Sequence, residues 1–150
     1  MKPIYIYRHF LKEMKKEKRL DSFDERHSSS LKRLKIYHPN GNGLEVEYKV
    51  TDSYFMILSF EEFWPRTMRL LACSIRPFGE DLENNKYTSE YTDKIIKLIF
   101  PKLKIDSDGC QELVRELNNF TNEDGFWDYI EAFKYLICYF HYNYIDKKDI

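Results

Sequence analysis

Residues 33–50 read RLKIYHPNGNGLEVEYKV, and the fold turns on this stretch. Leu34 and Ile36 alternate with Arg33, Lys35 and Tyr37. After Pro39-Asn40-Gly41-Asn42-Gly43, Leu44, Val46, Tyr48 and Val50 alternate with Glu45, Glu47, Lys49 and Thr51. A period of two puts successive side chains on opposite faces of a strand, and Asn and Gly supply the positive φ of a tight turn. The stretch is expected to be a β-hairpin with one apolar face. Its outward residues are basic on the first arm and mostly acidic on the second, so cross-strand pairs of opposite sign support the register.

After a turn at Asp52-Ser53, the run Tyr54 to Phe60 is apolar on both faces, as expected of a central strand covered on both sides. Thr67 to Ile75, closed by Arg76-Pro77-Phe78-Gly79, reads as a fourth strand, which makes the sheet an antiparallel meander.

The pattern then turns helical. Thr88 or Ser89 can cap a helix with the apolar stripe Tyr91, Ile95, Ile96 and Ile99, terminated by Pro101. A second helix is expected with Asp108 as its cap, Gln111 three residues later, and a stripe of Cys110, Leu113, Val114, Leu117 and Phe120. A third carries Phe126, Ile130, Phe133, Ile137, Phe140 and Tyr144 on one seam.

At the other end of the chain, Pro3 suits a first helical position. Ile4, Tyr7, Leu11 and Met14 then follow at helical spacing, predicting a helix over 4–19 with a basic last turn. A short strand at Ile4 to Tyr7 is the alternative. Residues 21–30 end in three serines and read as a loop. The expected fold class is α+β: an N-terminal helix, a four-stranded antiparallel meander and three C-terminal helices packed on it. Residues 1–150 form a single domain on this reading.

Composition agrees with a folded protein: 43% hydrophobic, 17% aromatic with 12 Tyr and 11 Phe, and only 5 Gly and 5 Pro. No export signal is visible at the N-terminus. The apolar run 126–145 carries Asp128, Glu131, Lys134, His141 and Asn143, too many polar groups for a membrane span. Three cysteines, Cys73, Cys110 and Cys138, form neither a disulfide framework nor zinc-ligand pairs and point to a reducing, cytoplasmic compartment. Cys73 and Cys138 read as small buried hydrophobes.

Charge is unevenly spread. Residues 1–76 hold 15 Lys and Arg against 10 Asp and Glu, net +5, whereas 77–150 hold 9 against 15, net −6. Between 106 and 131 there are eight acids, namely Asp106, Asp108, Glu112, Glu116, Glu123, Asp124, Asp128 and Glu131, against the one base Arg115. Glu112 and Glu116, four apart and opposite the Leu113 and Leu117 stripe, are expected to share an exposed face. That face is either ordinary solvated helix surface or an acidic docking patch. Phe63-Trp64-Pro65-Arg66 offers a second candidate: at a loop tip, Trp64 and Arg66 are residue types favoured in binding hot spots, whereas a Trp over the sheet end is structural.

Other chemistry finds no local support. His9, His27, His38 and His141 fall in no metal-binding spacing, and Gly41 and Gly43 belong to a turn with no following Lys-Ser/Thr. The basic run Lys12 to Arg19 shows no interleaved aromatics on its charged face, so solubility and helix-end electrostatics are preferred to nucleic-acid binding.

A small α+β chain, rich in Tyr and Phe, with an acidic segment and no catalytic motif, resembles the immunity proteins of bacterial contact-dependent inhibition and related polymorphic toxin systems. The resemblance implies a protein that binds a cognate toxin domain, often a nuclease, and blocks its active site or substrate surface. The partner-binding residues expected on this reading are Asp108, Glu112, Glu116, Glu123, Asp124, Asp128 and Glu131, with Trp64 and Arg66. The expected partner is a basic protein domain, with no nucleic acid, membrane, cofactor or small-molecule substrate. A small nuclease or hydrolase assembled from scattered His and acidic residues is the alternative, as is a regulatory subunit of a larger complex.

Overall fold

In the computed structural model, which describes residues 3–23, 31–37, 43–63, 89–121 and 127–145, the hairpin forms with the expected register. Strands β2 (Lys32–Tyr37) and β3 (Gly43–Val50) pair antiparallel, with Leu34 opposite Val46 and Ile36 opposite Leu44 on the apolar face. On the other face Arg33 stands opposite Glu47 and Lys35 opposite Glu45. The Arg33 and Glu47 charges approach to 4.0 Å. Exposed pairs of this kind support register more than stability, at about 0.2–1 kcal/mol each.

Strand β4 (Phe55–Phe63) pairs antiparallel with β3 and carries an irregularity. Ser59 stands opposite Glu47 and Ile57 opposite Tyr48, so Leu58 has no opposite number and forms a β-bulge. The bulge keeps Ile57 and Phe60 both on the core face. Met56 and Leu58 are buried as well, outside the main core cluster.

Beyond β4 the structure departs from the expected meander. The neighbour of β4 is β5 (Leu103–Asp106), which runs parallel to it, with Ile57 opposite Ile105. Beyond β5 lies β1 (Leu20–Asp21), also parallel, with Leu20 opposite Ile105. The sheet is thus five-stranded and mixed, in the order β1-β5-β4-β3-β2, and not four antiparallel strands. The expected strand at Thr67 to Ile75 lies outside the described residues. The run at 54–60 does occupy an interior place, between β3 and β5.

Four helices complete the described residues: α1 (Pro3–Lys16), α2 (Ser89–Ile99), α3 (Gln111–Asn119) and α4 (Asp128–Tyr144). Pro101 lies in a short 3-10 turn, Phe100–Lys102, directly after α2. Ile6, Tyr7, Leu11 and Met14 of α1 join Ile95, Ile96 and Ile99 of α2 in one core cluster. Leu113 and Leu117 of α3 and Ile130, Phe133, Ile137 and Phe140 of α4 belong to it too, as do the inward residues of β2 to β5. Aromatic rings join the layers. Phe140 stacks on Phe55 at 4.9 Å, and Phe100 lies between Phe10, stacked at 4.7 Å, and Phe133. No described helix is long and apolar enough to cross a membrane.

Helix α1 ends three residues before the expected Arg19. The Arg19 N–H donates to the Met14 carbonyl at 2.7 Å and the Lys18 N–H to Lys15 at 3.2 Å, a Schellman closure that places Lys18 at a φ of 58°. That left-handed conformation ordinarily falls to glycine, because a Cβ crowds the backbone there. Replacing the exposed Lys18 by Gly is therefore expected to stabilise the protein by about 0.5–1 kcal/mol, read as a raised urea midpoint. An unchanged or lowered midpoint would show that the side chain carries no strain at this position.

The closure also sets Arg19 in place. The residue is 4% exposed, and its Nη1 donates to the carbonyls of Phe100 at 2.6 Å and Leu103 at 3.0 Å while Nε donates to Glu17 at 2.7 Å. One buried guanidinium thereby satisfies carbonyls around the turn that leads into β5. Its own backbone carbonyl accepts from Ile105 N–H at 2.8 Å, so the α1 terminus, β1 and β5 form one hydrogen-bonded unit.

Candidate functional site: an acidic surface around Tyr129

The segment joining β5 to α3 reads Asp106-Ser107-Asp108-Gly109-Cys110. Asp108 is not the helix cap: that position is Cys110, with no side-chain capping bond. The turn is organised instead by Asp106, 1% exposed, whose Oδ1 accepts from the N–H groups of Asp108 at 2.9 Å and Gly109 at 3.3 Å. Asp108 is left exposed, and its carboxylate accepts the Ser22 hydroxyl at 2.6 Å.

On α3 the two glutamates expected to share an exposed face have opposite fates. Glu112 is about half exposed and paired with Arg115 at 2.8 Å. Glu116 is 4% exposed. Its carboxylate reaches the start of α4, where Oε1 accepts from the Tyr129 and Ile130 N–H groups, both at 3.2 Å. The first N–H groups of a helix have no partner within it and carry partial positive charge, so a carboxylate from a neighbouring helix is well placed there. Trp127, at the cap position of α4, makes no side-chain capping bond, so Glu116 takes over that role. Glu116 is thus part of the core and is removed from the expected exposed face. A signal was present in the sequence: position 116 is three after Leu113 and one before Leu117, on the flank of the apolar stripe.

Of the remaining expected residues, Glu131 is exposed on α4 and paired with Lys134 at 3.4 Å. Asp128 opens α4. Glu123, Asp124, Trp64 and Arg66 lie outside the described residues, as do Cys73, His27 and His38. Sequence reasoning missed Glu62, exposed near the end of β4. The charges of three acids, Glu62, Glu112 and Glu116, act on Tyr129. Its hydroxyl is pushed up to about 12, first by burial and then by the charges of Glu62, Glu112 and Glu116. Its ring lies 6.0 Å from that of Phe60. The exposed Glu62 on β4 and Glu112 on α3 thus both act electrostatically on this half-buried tyrosine of α4.

No family model, curated protein or solved structure matches the chain.

Other candidates for chemistry fall apart spatially. His9 is exposed on α1, whereas His141 is buried near the end of α4. Cys110 and Cys138 are buried and part of the core. Among the described residues no group of three or more His, Cys, Asp or Glu is placed to hold a metal ion. A hydroxyl cluster occupies the far end of the sheet, where the Tyr48 hydroxyl lies 3.4 Å from those of Tyr139 and Tyr144. Lys32 Nζ donates to Tyr144 at 3.1 Å, and that bond raises the lysine's pKa. Burial raises Tyr48 in turn, reinforced by its two hydroxyl partners. The cluster ties β2 and β3 to α4.

The outer face of α1 holds more than the expected basic run Lys12 to Arg19. Tyr5, Arg8, His9 and Lys12 together line an open hollow of about 490 Å³. Ahead of that run, Tyr5 and His9 thus lie among the cations Arg8 and Lys12.

Proposed function

We propose that this chain is a cytoplasmic binding protein that neutralises a cognate toxin domain of nuclease type, covering its active site or substrate surface. The observation that carries the reading is the pair of exposed carboxylates, Glu62 and Glu112, whose charges both act on the half-buried Tyr129. A nuclease domain presents cations to its phosphate-bearing substrate, and a surface of carboxylates around an aromatic ring complements such cations in charge and in ring stacking. Asp108, exposed in the turn before α3, is a further carboxylate of the same acidic segment. The aromatic core and the resemblance to immunity proteins agree with this role.

The test is rescue and capture with the product of the neighbouring gene. Co-expression is expected to restore growth, and the purified pair to associate rapidly at low salt. Because surface charges act chiefly on the encounter, Glu62→Lys combined with Glu112→Lys is expected to lower the association rate at least tenfold, with a smaller change in dissociation. Unchanged association in a folded double variant would remove this surface from the interface.

A further inference from the structure

Helix α1 is amphipathic in an unequal way. Its inward side carries Ile6, Tyr7, Leu11 and Met14, all buried. At 100° per residue, Tyr5, Arg8, His9, Lys12, Lys15 and Lys16 fall within about 120° of arc on the opposite side. All six are exposed, Tyr5 by 57%, and no acid lies inside the arc. Arg8, Lys12 and Lys16 follow one another about 6 Å apart along the axis. Tyr5, His9, Arg8 and Lys12 line the open hollow, so two rings and two cations lie on one shallow surface.

We propose that the outer face of α1 binds single-stranded nucleic acid without sequence preference, Arg8 and Lys12 holding backbone phosphates while a base stacks on Tyr5. A row of cations alone would suit any anionic polymer, and the rings decide between them. An aromatic face is the negative side of its quadrupole, so it is a poor neighbour for the carboxylates of an acidic peptide. Every nucleobase, by contrast, offers a π-face for stacking, and cations interleaved with aromatics are the usual means of holding single strands. Lys15 and Lys16 continue the cationic track towards the helix end, where they also complement its dipole. The site lies on a different element from the Tyr129 surface and stands independently of it.

The experiment is fluorescence anisotropy of the full chain with labelled twelve-nucleotide dT and rU strands in 50–200 mM salt. Saturable binding of either strand is expected, weakening linearly in log–log form as salt rises; comparison of the two separates DNA from RNA preference. Arg8→Glu with Lys12→Glu is expected to weaken binding at least tenfold and, by removing two phosphate contacts, to make the salt slope shallower by about 1.4. Tyr5→Ala is expected to weaken binding by about 5- to 100-fold with the slope unchanged, because stacking releases no counterions. Lys104→Glu, at a cation elsewhere on the surface over the Tyr54 ring, leaves affinity within twofold. If the charge-reversed pair fails to fold, the Tyr5→Ala result decides alone. Three outcomes overturn the proposal: no saturable binding by the folded chain at 50 mM salt, equal affinity in Tyr5→Ala, or an oligoglutamate peptide binding as tightly as the strands.

Discussion

Replacing Gly109 by Ala is expected to destabilise the protein by at least about 3 kcal/mol, more than an ordinary Gly→Ala change in a loop. The reason is space. A Cβ on Gly109 would overlap the backbone carbonyl oxygen of Leu58 and crowd its carbonyl carbon and the Cα of Ser59. These are main-chain atoms of a strand held on both sides, so no flexible side chain can swing away. The contact is also a bonded one, since the Gly109 carbonyl accepts from the Phe60 N–H at 3.1 Å. Bulge and glycine belong together: Leu58 steps out of the ladder where the β5–α3 turn lies against β4. Urea denaturation of Gly109→Ala checks this, and a loss below about 0.5 kcal/mol would show that the two backbones are not in contact.

The second large effect is at Glu116. Truncation to Ala leaves the Tyr129 and Ile130 N–H groups without their acceptor at a buried helix end and creates a small cavity, an expected cost of about 2–4 kcal/mol. Glu116→Gln keeps the side-chain carbonyl oxygen and loses only the charge, so about 1 kcal/mol is expected. Glu112→Ala, one turn earlier on the solvent side, is expected to change stability by less than about 0.5 kcal/mol. The three midpoints measured together separate a cross-helix cap from a surface charge. Equal midpoints for Glu116→Ala and Glu112→Ala would sink the assignment.

Those two glutamates show how far the sequence can be read. Their spacing places them near one another on α3, and nothing local says that the start of a helix a dozen residues later needs an acceptor at position 116 and none at 112. The β2–β3 hairpin was legible because its signals are local: alternation, a turn and charges of opposite sign on facing positions. The strands β1 and β5 were not. Leu20–Asp21 and Leu103–Asp106 are two and four residues long, too short to show a period, and each becomes a strand only by pairing with a distant partner. Without β5 visible, the antiparallel meander was the simplest sheet. Asp108 had the right residue type for a helix cap, but Asp106 had already taken the N–H groups of the turn, moving the helix start to Gln111.

The outer face of α1 has a related limit of legibility. Counting from Lys12 onward leaves out Tyr5, Arg8 and His9, which share the face only because the helix begins at Pro3 and keeps one uninterrupted phase to Lys16.

The strand order sets an order of assembly. β5 lies between β1 and β4, yet Arg19 and Leu103, which meet at its start, are 84 residues apart in the chain. Among the described residues, a growing chain that stops before residue 103 holds the strands β2, β3 and β4 and the α1–β1 unit without the β5 strand that joins them. Closing so long a loop is costly before its contacts repay it, so docking of β5 is expected to be a slow step in completing the sheet. An interior strand, β5, is the last of the described strands in chain order, and until it pairs the open side of β4 is where a second chain could add.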